Sequence, residues 1–428
     1  MEDLLADVLK KNPDLPKNKR AFLLELVQGV KRWELRLDYL LSRLSRLSWR
    51  KVHPLVRHIL RLAAYQILFL DKIPAHAAVN EAATLARGRR LPASHVGFIN
   101  AILRRLAGGE VPLLPKVEDD PVAALAVATS HPAWLVARWL VRYGLEETEF
   151  RLTANNQVPP LTVRVNTLKA DRHGLMARLE REGVKAVPCS YSPVSLLIEE
   201  FDRAPATLLS YREGLWLFQD EAAQITTCLL PLTPGQKILE IGAGRGGKTT
   251  HLGERLKNQG LILALDNHRQ RLRSLQQNLQ RWGVTCAQTI RGDGAQPLPV
   301  RFGSLDAVVI DAPCSALGII RRHPEIKTRL QEADLATFPP RQRQMLEGAA
   351  HLPKVGGCLL YITCTTEPEE NEDLVACFLA DHPEYRLNFT PDLLPAPARE
   401  FLQPPGFFRT TPAHHNLDGF FAAVLVRG

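Results

Sequence analysis

Apolar residues recur every three or four positions through the first 108 residues. Beyond Gln219 they gather instead into short runs separated by amphipathic stretches. In the first region Leu37, Leu40, Leu41, Leu44 and Leu47 fall on one helical face, as do Ile59, Leu62, Ala63 and Ile67. Pro13, Pro54, Pro74 and Pro92 punctuate the segments. The period predicts an all-α bundle over residues 1–110. Val111-Pro112-Leu113-Leu114-Pro115, followed by Glu118-Asp119-Asp120, reads as a linker. Helical spacing returns over 121–155, with Trp134, Leu135, Trp139 and Leu140 as core candidates. A strand at 161–165, a helix at 171–182 and a strand at 195–198 then complete a small α+β module over 121–215.

The last region, 216–428, alternates strand and helix. Strands are predicted at 237–241, 261–265, 285–290, 305–310, 358–362 and 420–426, with helices at 251–257, 272–282, 341–352 and 370–379. Alternation of this kind predicts an α/β, Rossmann-like domain with a mostly parallel sheet covered on both faces. No apolar stretch is long enough to cross a bilayer, and Met1-Glu2-Asp3 opens no secretory signal, so a cytoplasmic protein without a membrane partner is expected.

Charge adds a partner to this picture. Of the net +9, residues 1–110 hold 20 Lys/Arg against 10 Asp/Glu, and the remaining chain 34 against 35. Arg43, Arg46, Arg50, Lys51, Arg57 and Arg61 form one basic cluster, and Arg87, Arg89, Arg90, Arg104 and Arg105 a second. A basic helical module on a neutral body points to a polyanion, because phosphate neutralisation releases counterions. A solvated helix surface would carry the same charges. Seven cysteines without a CxxC pair argue for reduced thiols, and against a disulfide framework or a metal site.

Two of those cysteines follow apolar runs at strand ends, Cys314 in Asp311-Ala312-Pro313-Cys314-Ser315 and Cys364 in Tyr361-Ile362-Thr363-Cys364-Thr365. Open α/β sheets bind their ligands at such ends. The first strand of the region runs into Glu240-Ile241-Gly242-Ala243-Gly244-Arg245-Gly246-Gly247-Lys248-Thr249, a turn able to approach a ligand closely but without P-loop spacing. Asp266 closes the second strand, Gly292-Asp293-Gly294 follows the third, and Asp311 ends the fourth; together they suit an adenosine-containing ligand. Paired thiols suit methylation at carbon 5 of a pyrimidine. A thiolate adding to carbon 6 makes carbon 5 nucleophilic toward a methyl sulfonium, and loss of the carbon 5 proton expels the sulfur. Asp311 is placed to bind or protonate the ring at its N3 edge.

These residues resemble the paired motifs of the RNA 5-methylcytosine methyltransferases that use S-adenosylmethionine. Arg164 to Lys169, Gln219 to Gln224, Arg321 to Ile326 and Asp418 to Phe421 are similar to further motifs of that family. Pro74 to Ala82 and Gly97 to Arg105 resemble a NusB-like RNA-binding domain, as fused in the bacterial ribosomal RNA small subunit methyltransferase B (Fmu/Sun) type. The resemblance implies that Cys364 is the nucleophile and that Cys314 helps release product. It implies that Gly242, Ala243, Gly244, Arg245, Gly246, Gly247 and Lys248 wrap the methionine part of the cofactor. Asp266 would bind its ribose, Asp293 would lie by the adenine, and Asp311 would serve cofactor pocket and target base alike. The implied partner is 16S ribosomal RNA, free or in an early assembly intermediate, met by a monomer.

The family's cofactor loop reads Asp-x-Cys-Ala-Ala-Pro-Gly-Gly-Lys-Thr, so Glu240, Gly242, Gly244 and Arg245 depart from it, and an altered loop path is expected. The same chemistry on transfer RNA, or a non-catalytic RNA-binding or assembly factor, are the alternatives; a Rossmann dehydrogenase is a weak third, since hydride transfer needs no paired cysteines.

Overall fold

The computed structural model describes residues 2–12, 15–201 and 204–428; Met1 and Pro13 lie outside them. The chain divides into two compact units, residues 1–157 with 320–332, and residues 158–319 with 333–428.

The first unit is helical. Glu2–Lys11, Lys17–Arg32, Glu34–Leu44, Pro54–Phe69, Ala75–Gly88 and Ala93–Ala107 precede the linker, and Pro121–Ala128, Ala133–Tyr143 and Leu145–Ala154 follow it. Leu37, Leu41, Leu44, Ile59, Ala63, Ile99 and Leu103 share one apolar core. Leu47 falls past its helix end and is exposed. The segment 121–154, read from sequence as the start of the middle module, packs within this unit. The Ser130 hydroxyl accepts hydrogen bonds from the Leu35 and Arg36 amides (3.1 and 3.2 Å), which holds the segment to the bundle. Arg61 leaves the expected basic surface, since it is buried and paired with Glu34 (2.7 Å) and Asp38 (2.6 Å). Arg105 is paired with Glu110, whereas Arg43, Arg46, Arg50, Lys51, Arg87, Arg89, Arg90 and Arg104 are exposed. No helix among the described residues is long and apolar enough to cross a membrane.

Residues 320–332 join the first unit although they interrupt the α/β region in sequence. The Arg32 guanidinium donates to the Arg321 carbonyl (3.3 Å), and Lys327 Nζ donates to the Arg32 carbonyl (3.1 Å) and Asn156 Oδ1 (2.5 Å). Burial, with the Arg32 charge beside it, holds the Lys327 ammonium well below its usual pKa.

The second unit opens with an antiparallel sheet, β1 (Thr162–Val165), β2 (Ala186–Pro188), β3 (Ser195–Ile198) and β4 (Trp216–Phe218), in the order β2-β3-β1-β4. The larger sheet contains β5 (Lys237–Ile241), β6 (Leu261–Asp266), β7 (Ala287–Arg291), β8 (Leu305–Asp311), β9 (Pro353–Thr363), β10 (Tyr385–Leu387), β11 (Leu402–Gln403), β12 (Phe407–Arg409) and β13 (Phe421–Arg427). Strands β7-β6-β5-β8-β9 are parallel. The sequence reading made the sheet mostly parallel, and its β13 edge departs from that. Strand β13 runs antiparallel to β9, and β12 and β10 pair antiparallel with it in turn. Ala307 and Val309 of β8 enter the core on one face, Val308 and Ile310 the core on the other.

Arg164 of β1 is wholly buried and joins this small sheet to the helix Gly247–Arg255. Its terminal nitrogens donate to Gln219 Oε1, the Gly247 carbonyl, Thr250 Oγ1 (2.6 Å) and Glu254 Oε1 (2.9 Å). Asn166 ties the same turn to the Gly214 and Trp282 carbonyls (both 2.7 Å).

Candidate active site

Parallel pairing sets Asp311 opposite Ile362, so β8 and β9 release their chains at one edge of the sheet. Three residues past Asp311 and one past Thr363, the thiols of Cys314 and Cys364 meet with their sulfurs 3.4 Å apart, and the Cys364 amide points at Cys314 Sγ (3.4 Å). Glu370, buried behind them, bolts the two motifs together. It accepts from the Ser315 amide (3.0 Å), Ser315 Oγ (2.5 Å) and Gln342 Nε2 (2.9 Å), and Ser315 Oγ also meets Thr365 Oγ1 (2.7 Å). Burial raises the Glu370 pKa against those bonds. Gly318 closes the corner. Its amide donates to the Cys364 carbonyl (3.0 Å), and a Cβ there would lie 2.1 Å from the Gly419 carbonyl oxygen.

The glycine-rich turn departs from β5 with Gly242 at φ 83°, where a Cβ would lie 2.3 Å from the Asp311 carbonyl oxygen. Asp266 fixes the turn from the end of β6, its Oδ2 accepting from the Gly244 amide (2.9 Å) and its Oδ1 from the His268 amide (2.7 Å). Lone pairs on both oxygens remain for ribose hydroxyls. Lys248 reaches back along the turn to donate to Asp311 Oδ2 (2.7 Å), with Nζ 5.5 Å from the Phe420 ring centre. Burial pulls the Lys248 pKa down, but the Asp311 carboxylate outweighs it and the net shift is upward. Glu240 lies beneath, accepting from Thr249 Oγ1 (2.5 Å), and burial pushes its carboxyl up to about 7.

The cavity at these strand ends is about 450 Å³. Gly242, Gly244, Asp266, Asp293, Asp311, Cys314 and Cys364 line it, together with Ile241, Leu265, Arg341 and Met345. Asp293 meets the Ala295 amide (3.1 Å) and Arg341 (2.8 Å), which hold its pKa low. Lys248 reaches the cavity through Asp311. Ala243, Arg245, Gly246 and Gly247 are not among its lining residues: Arg245 is exposed, and a Cβ on Gly246 would lie 2.4 Å from Leu275. Sequence reasoning missed Glu370, Gln342, Arg341 and Met345, which carry no local motif and reach the site only through the helix Phe338–Ala349 and the turn after β9.

The Cys364 thiol is pushed well above its usual pKa. The Cys314 hydrogen bond leads, followed by burial and the charges of Cys314 and Asp311, while Lys248 acts the other way. The free site therefore holds Cys364 as a thiol, with one neighbouring cation favouring the thiolate and a second sulfur in contact with it.

A pocket of adenosine size, with Ile241, Leu265 and Met345 as its apolar wall and carboxylates at the ends of β6 and β8 and after β7, fits S-adenosylmethionine, and the fold and pocket define a methyltransferase dependent on that cofactor. A family model described as 16S rRNA methyltransferase RsmB/F matches residues 227–426, a NusB family model residues 1–108, and a Methyltr_RsmF/B-like ferredoxin-like domain model residues 131–203. The chain belongs to the RsmB/F methyltransferase family. It is 34% identical to the probable ribosomal RNA small subunit methyltransferase B of Bacillus subtilis, covering 99% of this chain and 93% of that one. It is 35% identical to ribosomal RNA small subunit methyltransferase B of Sodalis glossinidius, over 96% and 91% of the two chains. The crystal structure of PH0851 superposes with a TM-score of 0.84 at 28% identity, over 99% of this chain and 93% of that one. NSun6 from Pyrococcus horikoshii, solved with SFG, shares the fold over 69% of this chain and 98% of its own, with a TM-score of 0.61 at 22% identity.

Proposed function

We propose that this protein methylates carbon 5 of a cytidine in 16S ribosomal RNA through a covalent adduct between Cys364 and carbon 6 of the base. The observation that carries the reading is the pair of sulfurs 3.4 Å apart beside the Lys248–Asp311 pair, on the floor of the cofactor cavity. Bound S-adenosylmethionine supplies an electrophilic methyl group. As Sγ of Cys364 bonds to carbon 6, its proton passes to the Asp311 carboxylate, and Lys248 offsets the charge that develops on sulfur. Asp311 hands that proton to N3 of the ring, so negative charge does not build up on the adduct and carbon 5 is left as the nucleophilic end of an enamine. Carbon 5 takes the methyl group and the thioether S-adenosylhomocysteine leaves; the carbon 5 proton then passes to solvent by way of Cys314, the carbon–sulfur pair returns to Cys364 Sγ, which takes back the N3 proton, and the ring double bond is restored. Cys314 is the adjacent group that assists this elimination. The raised pKa of Cys364 favours deprotonation coupled to attack over a standing thiolate.

The ribosomal substrate is supported by the family and by the NusB match at the N-terminus, where exposed arginines offer a surface to phosphates. The test is transfer of labelled methyl from S-adenosylmethionine to deproteinised 16S RNA by wild type, Cys364→Ala and Cys314→Ala, with denaturing gels to catch adducts. Label recovered as 5-methylcytidine, lost in Cys364→Ala and accompanied by trapped RNA in Cys314→Ala, is expected. Normal turnover by Cys364→Ala overturns the mechanism. Transfer to another RNA alone keeps the chemistry and changes the substrate.

A further inference from the structure

Charge totals make the body of the chain beyond residue 110 nearly neutral, yet its charges are not evenly spread. Where β6 and β7 end, an open groove of about 630 Å³ is lined by His268, Arg269, Arg273 and Arg291, with no carboxylate among its described lining residues. All four side chains are exposed, and none of the three guanidiniums hydrogen-bonds or ion-pairs with a described residue. Near the same cavity, by contrast, Arg341 is paired with Asp293. The helix Arg269–Trp282 starts at the same groove. It has no acidic residue in its first turn and no side-chain cap at His268, so its positive end adds to the field.

The groove meets the cofactor cavity at Asn267, which lines both. S-adenosylmethionine carries no phosphate, so it gives no use to three unpaired guanidiniums outside the adenosine pocket. A polyanion does, because each phosphate neutralised releases counterions, and arginine presents the fork that phosphate oxygens match. We infer that Arg269, Arg273 and Arg291 form a phosphate-binding track for the substrate RNA, separate in sequence from the basic helical unit and bordering the cofactor pocket. This rests on the RNA-methyltransferase reading and adds to it a second electrostatic contact on the catalytic unit itself. Contacts of this kind position an RNA without reading its bases.

The experiment compares R269Q/R273Q/R291Q with wild type and with a control carrying R181Q/R301Q/R386Q, three exposed arginines outside the groove. Binding of deproteinised 16S RNA is measured across a salt series, and S-adenosylmethionine affinity by calorimetry. The track predicts that the slope of log K against log salt becomes shallower by about 2 in the groove variant, at about 0.7 per phosphate contact for single strands. The control slope stays near wild type, and cofactor affinity stays within about twofold in every protein. Equal slopes in groove variant and control overturn the track, as does loss of cofactor binding with the RNA slope unchanged. Wild type that binds RNA but transfers no methyl group defeats the catalytic reading and leaves the slope comparison standing.

Discussion

Two cation–carboxylate pairs flank the helix Gly247–Arg255, and they differ in how much of their capacity is used. Arg164 and Glu254 are sealed, their side chains 0% and 1% exposed. All four terminal N–H groups of Arg164 have acceptors, and Glu254 also takes the Trp282 indole N–H (2.8 Å), the Thr167 amide (3.1 Å) and the Thr167 hydroxyl (2.8 Å). Lys248 and Asp311 are 10% and 33% exposed, and Asp311 opens onto the cavity that Cys364 also lines. A pair with its terminal N–H groups and both carboxylate oxygens engaged, only Arg164 Nε lacking an acceptor, holds two parts of a fold together. A pair at a cavity wall, with capacity to spare, can respond to a substrate. Burial of a charge alone would not tell the two apart.

The sharpest way to test that contrast begins with the sulfur that the open pair serves. Cys364→Ala is expected to lower methyl transfer by about 10⁴-fold or more while cofactor affinity, read by calorimetry, is unchanged. Arg164→Met strands the Glu254 carboxylate in the interior and should cost about 3–5 kcal/mol in urea unfolding. A stable but inactive Arg164→Met protein would erase the distinction between the pairs. Glu240 feels both, and its carboxyl, raised to about 7, gives a pH test. Because the folded value lies above the unfolded one, near 4.5, the stability it contributes is fully present below pH 4.5 and is lost as pH rises through about 7. Wild type should lose about 3 kcal/mol more than Glu240→Gln between those limits, measured as unfolding free energy against pH. Lys248→Met is expected to lower kcat by about 10²-fold and to move the ascending limb of the rate profile, set by Cys364 deprotonation, to higher pH, with stability changed by about 1 kcal/mol. A larger loss of stability than of rate would return Lys248 to the structural class.

Much of this was legible in the sequence, for physical reasons. Period 3.6 in the first unit and short apolar runs in the second mark their elements because burial follows those periods. The strand-end cysteines and acids stand out because parallel strands deliver them to one edge. What escaped depends on pairing across sequence distance. Nothing in the local pattern says that Glu370 reaches Ser315, that Arg61 is consumed by Glu34 and Asp38, or that residues 320–332 leave the α/β region for the helical unit. The motif at Arg164 was visible, but its work as an interior tie between β1 and the cofactor helix follows only from the fold. The antiparallel return of β13 was hidden too, since an apolar run does not state its direction.

The crossing of Gly318 and Gly419 has a consequence of another kind. A Cβ on Gly419 would lie 2.7 Å from the Gly318 Cα, and one on Gly318 would strike the Gly419 carbonyl, so neither position can accept a second letter while the other backbone stays where it is. Since the Gly318 amide also holds the Cys364 carbonyl, a library randomised at both sites and selected for methyl transfer should return glycine at each. The information that keeps the nucleophile in position is stored partly in two residues that have no side chain with which to express it.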